Sequence, residues 1–216
     1  GALERLFPLL EEGYGCIYVN ASTYDREMSR CSGETLRHFA CADADETLLS
    51  IASWLTFVSS ICVRRDDFLK HLDSGFAHVG TGFAHCYPLV HVISLGRNRI
   101  VREPLVRFRA GNTGGYNIFR MFIEEFGRIL AYCGEIGYSP GVLAEIRTRT
   151  VYQVLVPAII QIKLGELNLK ADSVLRYLAG SGLALKERLL LVAFVGCPAF
   201  LFSLVHRARR ALRRRG

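Results

Sequence analysis

Apolar and polar positions divide this chain into a mixed first half and a helical second half. Residues 2–12 set Leu3, Leu6, Phe7, Leu9 and Leu10 among acids at helical spacing, and Gly13 closes the run, which predicts a short amphipathic helix. Residues 16–22, CIYVNAS, are a β-rich apolar run with a polar end, the pattern of a buried strand. Residues 24–46 are polar and irregular and read as a surface excursion. Asp43 and Asp45 have the D-x-D spacing that can hold a divalent cation, but Glu46 follows as a helix start requires, and capping is the favoured reading. Residues 47–63 predict a helical stretch and then a strand, FVSSICV, and residues 64–67 a charged turn into a short helix. Residues 81–94 are helix-like, with Pro88 either in the first turn of a later helix or kinking this one. RNRIV and PLVRFR predict two short strands around a turn, and AGNTGG a loop.

From there the pattern is helical. Residues 116–135 place Ile118, Met121, Phe122, Phe126, Ile129 and Leu130 on one stripe. Residues 140–164 follow Ser139-Pro140, an N-cap with proline at the first helical position. Residues 172–180 and 186–215 predict two more helices. Strands and helices mixed up to Arg109, then helices alone, predict an α/β body with a C-terminal helical extension.

Composition sharpens the picture at the C-terminus. The 216 residues favour one domain, possibly with an appendage, and 50% are hydrophobic. The formal charge is +7, but six arginines fall in the last ten residues (Arg207, Arg209, Arg210, Arg213, Arg214, Arg215), so the rest is nearly neutral. They follow Leu189–Val205, an uncharged run of 17 residues containing Pro198. As a helix it would be about 26 Å long, slightly short of a ~30 Å hydrocarbon core. A helix lying in the face of an anionic membrane is therefore expected ahead of a full span or a buried helix. The body lacks a basic face interleaved with aromatics, so nucleic acid is not an expected partner. Seven cysteines without a CxxC pair predict reduced thiols in the cytoplasm. With no secretory signal, the Asn20-Ala21-Ser22 sequon carries little weight. The chain opens within a helix at Gly1 and reads as a piece of a longer protein.

Candidate chemistry concentrates between Trp54 and Asn117. In GTGFAH, Gly80 and Gly82 permit close backbone approach, and His85 titrates near neutral pH and suits a general base, with a structural histidine the equal alternative. His71, His78 and His85 recur every seven residues but would align only in one helix, which the intervening glycines oppose. Arg107 and Arg109 share one strand face, a fit for a diphosphate or else a solvated surface, and the adjoining loop offers backbone N–H groups. Ser59 and Ser60 lie in an apolar run and need hydrogen-bond partners or a polar ligand. Trp54, the only tryptophan, suits either a core or a sugar face. No P-loop, GxGxxG, GxSxG or HExxH is present.

The order of ALERLFPLLEEGYGCIYVN, FVSSICVRRDDF, GTGFAHCYPLV and PLVRFRAGNTGGYNIF resembles the second half of family 2 glycosyltransferases of the inverting, GT-A type, nearest the abequosyltransferase-like enzymes. The resemblance implies an α/β fold over residues 1–115 that lacks its nucleotide-binding half. A helical extension over 116–185 and a membrane-associated apolar helix with basic tail over 186–216 would follow. It implies sugar transfer from a nucleotide-sugar donor to a polyprenyl-diphosphate-linked or saccharide acceptor in bacterial surface-polysaccharide synthesis, at the inner face of the plasma membrane. It also implies a divalent cation, Mg²⁺ or Mn²⁺, whose ligands precede this chain; Asp43 and Asp45 do not stand in the matching place. Relatives carry an acidic base where GTGFAH stands, so His85 is the expected base and Asp73 the alternative. Asn20, Trp54, Ser59, Ser60, Thr81, Gly82, Arg107, Arg109 and Asn112 are the expected donor- and acceptor-binding residues. The isolated chain is expected to be inactive. A non-catalytic membrane-surface or partner-binding module of the same fold is the alternative.

Overall fold

The computed structural model describes all residues except 26, 37–38, 110–116, 168–173, 180 and 203–216. The chain packs as two compact units, Gly1–Gly115 with Arg128–Ile146, and Tyr116–Gly127 with Arg147–Gly216. Residues 128–146 thus join the first unit, although they were expected in a separate helical extension.

The first unit is α/β. Helix α1 (Ala2–Glu11) leads into β1 (Cys16–Tyr24), whose first six residues are buried. β1 is the axis of a small mixed sheet. It pairs antiparallel with β2 (Cys31–Glu34) at one end and with β3 (Ile61–Val63) at the other. Along its opposite edge it pairs in parallel with β4 (Asn98–Arg109). A parallel neighbour needs a crossover, here supplied by α2 (Ala44–Ile51), α3 (Arg65–Leu69), α4 (Leu72–Phe76) and α5 (Cys86–Ser94). On one side of the sheet Leu6 of α1 packs with Ile17 and Val19.

Three local expectations change and one open alternative is decided. The excursion at 24–46 contains the exposed edge strand β2, reached by a turn in which Asp25 accepts from the Ser29 N–H and hydroxyl at 2.8 and 2.9 Å. FVSSICV is a strand only over its last three residues. Its first part winds into a 3₁₀ turn, Val58–Ser60, directly after another, Ala52–Thr56, in which the Thr56 hydroxyl bonds the Ser53 carbonyl at 2.9 Å. Local hydroxyl–backbone bonds of this kind compete with sheet pairing. RNRIV and PLVRFR form one strand of 12 residues, because the register skips between Val19 and Ala21 and β4 bulges there. Pro104 lies within that bulge, where no ladder donor is required. Pro88 sits in the first turn of α5, the position where proline leaves the helix intact.

In the second unit a π-helical stretch, Arg120–Glu125, runs into α6 (Phe126–Glu135), which from Arg128 onward belongs to the first unit. α7 (Pro140–Thr150) starts at Ser139, whose hydroxyl accepts from the Val142 N–H at 3.3 Å, and its end belongs to this unit. A second π stretch, Val151–Leu155, then joins α8 (Val156–Lys163), and α9 (Leu175–Leu178) and α10 (Leu185–Gly196) complete the described helices. Phe119, Ile123, Val151, Leu155, Ile159 and Leu191 are central to one apolar core, each worth about 1.5–3 kcal/mol of burial. The expected continuous helix over 186–215 stops at Gly196. Cys197 is extended at φ −67°, ψ 130°, as a residue before proline tends to be, and a short turn resumes at 199–202. Among the described residues no helix is long and apolar enough to cross a membrane. The arginine cluster lies outside the described residues.

Candidate active site

The turn that carries His85 is built by two glycines. Gly80 has φ +101°, which costs other residues strain, and turns the chain out of α4. Gly75 lets α4 lie against the start of α5: a Cβ there would meet the Ala84 carbonyl oxygen at 3.2 Å and Pro88 Cδ at 3.3 Å. His85 thereby stands at the N-cap of α5, half-buried, with Nε2 3.4 Å from Cys86 Sγ. Burial pushes the imidazole below its usual value, and a hydrogen bond with the Thr56 backbone partly offsets this. The ring is therefore neutral at pH 7. Burial also pushes the Cys86 thiol far up, so no thiolate pairs with it. Four residues earlier, the buried Thr81 hydroxyl has no hydrogen-bond partner among the described residues. Gly82 is exposed, and Asp73 is exposed in the first turn of α4.

The other expected residues separate into different environments. Asn20 is fully buried opposite the β4 bulge and is saturated by the fold. Its Nδ2 donates to Glu34 Oε2 at 2.8 Å and to the Arg102 carbonyl at 3.0 Å. Its Oδ1 accepts from the Ala21 N–H, the Leu36 N–H and the Thr35 hydroxyl at 2.9, 3.0 and 3.0 Å. It therefore stitches β1, β2 and β4 together where ladder bonds fail, with no capacity left for a ligand or for glycosylation. Ser60 is fully buried, its hydroxyl without a hydrogen-bond partner among the described residues, and the nearby Tyr18 hydroxyl donates to the Trp54 carbonyl at 3.3 Å. Ser59 is exposed.

Trp54 is partly exposed and meets Phe57 and Phe108 edge to face at 6.1 and 6.0 Å, while those two rings lie 5.2 Å apart. Arg107 and Arg109 are exposed and alternate with Phe108, so they leave the opposite face of β4. Arg107 lies over the Tyr24 ring at 5.5 Å. The aromatic group and the arginine pair are thus not brought to one face. Asn112 and the rest of the AGNTGG loop lie outside the described residues.

The histidines do not form one row. His71 stacks on His91, centroids 4.3 Å apart and 7° from parallel, and His78 stacks on Tyr87 at 3.5 Å. Tyr132 of α6 reaches His91 Nε2 at 2.6 Å and meets Tyr87 and His78 edge to face. Burial, and then the charge of His71, push His91 below its usual value. Sequence reasoning missed this cluster because Tyr132 lies 41 residues from His91.

The structure also fails to make a cation site of Asp43 and Asp45. Asp43 Oδ1 caps α2 by accepting from the Glu46 N–H at 2.8 Å, and Asp45 Oδ1 accepts from the Ser139 N–H at 3.1 Å. Among the described residues no three His, Cys, Asp or Glu side chains are grouped as metal ligands. With both carboxylates engaged by backbone N–H groups, Asp43 and Asp45 do not form a divalent-ion site.

Compared with family models, curated proteins and solved structures, the chain matches none of them.

Proposed function

We propose that the first unit is the acceptor-side half of an inverting, GT-A-type glycosyltransferase that moves a sugar from a nucleotide-sugar donor to a lipid-linked or saccharide acceptor. The observation that carries the reading is the His85 turn. It holds a neutral, half-buried imidazole four residues along the same turn from a buried Thr81 hydroxyl that has no partner among the described residues. A neutral imidazole can take the proton of an acceptor hydroxyl as that oxygen attacks the sugar and the nucleoside diphosphate departs. Thr81 would hydrogen-bond the acceptor, and the partly exposed Trp54 with Phe57 and Phe108 offers apolar faces for a sugar ring. Arg107 and Arg109 carry positive charge able to offset a diphosphate. The parallel β1–β4 pair with its helical crossover is compatible with the α/β half this requires.

The reading expects a donor-binding half, with the metal ligands, encoded upstream of Gly1. Its test is His85→Ala in the protein that includes that half. kcat should fall about 100-fold or more, the range of a lost general base, while donor affinity is unchanged. An unaltered kcat removes His85 as base and leaves Asp73 to be tested the same way.

A partner-binding module is the second reading, favoured by α1, whose Leu3, Phe7 and Leu10 form an exposed apolar stripe.

A further inference from the structure

Helix α10 is apolar on both sides. Its inner face supplies Leu191, buried in the second unit's core, and Glu187, which accepts from the Thr148 hydroxyl at 2.6 Å and caps the helix at the Ala184 N–H at 2.9 Å. The outer face repeats the helical spacing with Leu185, Leu189, Val192, Ala193 and Gly196, where a solvated helix would carry charge. Leu185 and Leu189 are 71% and 60% exposed, and Phe200, just past the break at Pro198, is 61% exposed. At about 1.5 Å per residue the helix is near 18 Å long, too short for a ~30 Å hydrocarbon core.

Charge identifies what covers this face. From Leu185 to the C-terminus the chain holds eight Lys and Arg and one acid, Glu187, so this segment carries the whole formal charge of +7 and the remainder is balanced. Glu187 points inward and is buried. Lys186 is exposed at the start of α10, and the six arginines follow its apolar run. An apolar helix face with a lysine at its start and no exposed acid, in a segment of net charge +7, is complementary to anionic lipid.

We infer that the outer face of α10, centred on Leu185, Leu189 and Val192, is a docking surface for an anionic membrane. The helix lies parallel to the bilayer plane, its leucines enter the acyl boundary, and Lys186 meets lipid phosphates. This rests on the second unit alone and stands whether or not the first unit transfers sugars.

The test is flotation of the full chain with vesicles of phosphatidylcholine alone and of phosphatidylcholine with about 30% phosphatidylglycerol, at low and high salt. Binding is expected to the anionic vesicles, weakening with salt. Leu185→Gln together with Leu189→Gln changes only exposed side chains. The double variant should keep the parent's circular dichroism and bind at least about tenfold more weakly, since apolar insertion supplies part of the affinity. Equal binding by the double variant and the parent would overturn the proposal, because the arginines alone would then account for it. So would a parent that ignores anionic vesicles and instead forms a dimer that the double variant abolishes.

Discussion

At the scale of single residues, Asn20 decides how β1 can change partners. Asn20→Ala removes three accepted and two donated bonds and leaves the Leu36 N–H unpaired in the interior. The expected loss is about 2–4 kcal/mol, read as a lower midpoint in urea. Asn20→Asp retains the acceptor atom but sets a second carboxylate oxygen against Glu34 and the Arg102 carbonyl. It should be destabilising at neutral pH and recover partly on acidification. Asp67 is a different buried polar residue, ringed by Lys70, Arg97 and Arg64 at 3.1, 3.3 and 3.8 Å. The Lys70 hydrogen bond first, then the surrounding cations, hold its carboxyl below the usual range. That stabilisation is present above the unfolded value near 4 and is lost as pH falls through the lower folded value. Asp67→Asn should therefore flatten the acid side of the Tm profile below about pH 4.

His91 and His85 act in the same direction by another route. Both lie below the unfolded value of about 6.5, so the folded chain binds fewer protons than the unfolded one. Their contribution is complete above that value and is lost as pH falls through the folded values. His91→Phe keeps a ring on His71 without a titrating group. Its Tm should change less than the parent's between about pH 7 and pH 5; an unchanged slope would mean that His91 is not the group responsible.

At the scale of elements, the contact between α4 and α5 sets the position of His85. Gly75→Ala forces a Cβ against a backbone carbonyl and a proline ring, neither of which yields easily. The cost should be about 1–3 kcal/mol. At Gly80 a Cβ meets nothing within 4 Å, so Gly80→Ala pays only for its positive φ, about 1–2 kcal/mol. Midpoints of unfolding separate the two variants from the parent. A Gly75→Ala protein as stable as the parent would show that α4 and α5 have slack between them. Several elements were legible in the sequence because periodicity and caps speak locally: α1 ending at Gly13, α2 capped by Asp43, α7 starting at Ser139-Pro140. The continuous β4 was not legible. A proline interrupts its sequence, and only the missing ladder bonds opposite Asn20 make that proline tolerable. The 3₁₀ turns at 52–60 were missed for a related reason, since alternation and apolarity do not register hydroxyls bonding their own backbone.

At the scale of the whole molecule, the residues between Trp54 and Arg109 were legible as chemically unusual but not as an arrangement. Their faces depend on the β1–β4 register and on which strand positions alternate. Strand alternation separates Phe108 and its aromatic neighbours from Arg107 and Arg109, and the register places Asn20 in the interior. What remains together is the His85 turn with Thr81, and the glycosyl-transfer proposal depends on it. The most direct measurement is release of nucleoside diphosphate from a panel of nucleotide sugars, with Mn²⁺ present, by the protein carrying the upstream coding region and by this chain alone. The account predicts turnover of at least one donor by the longer protein, a sharp loss in its His85→Ala variant, and none by this chain alone. No turnover of any donor by the longer protein, with lipid-linked and free saccharide acceptors supplied, would contradict it.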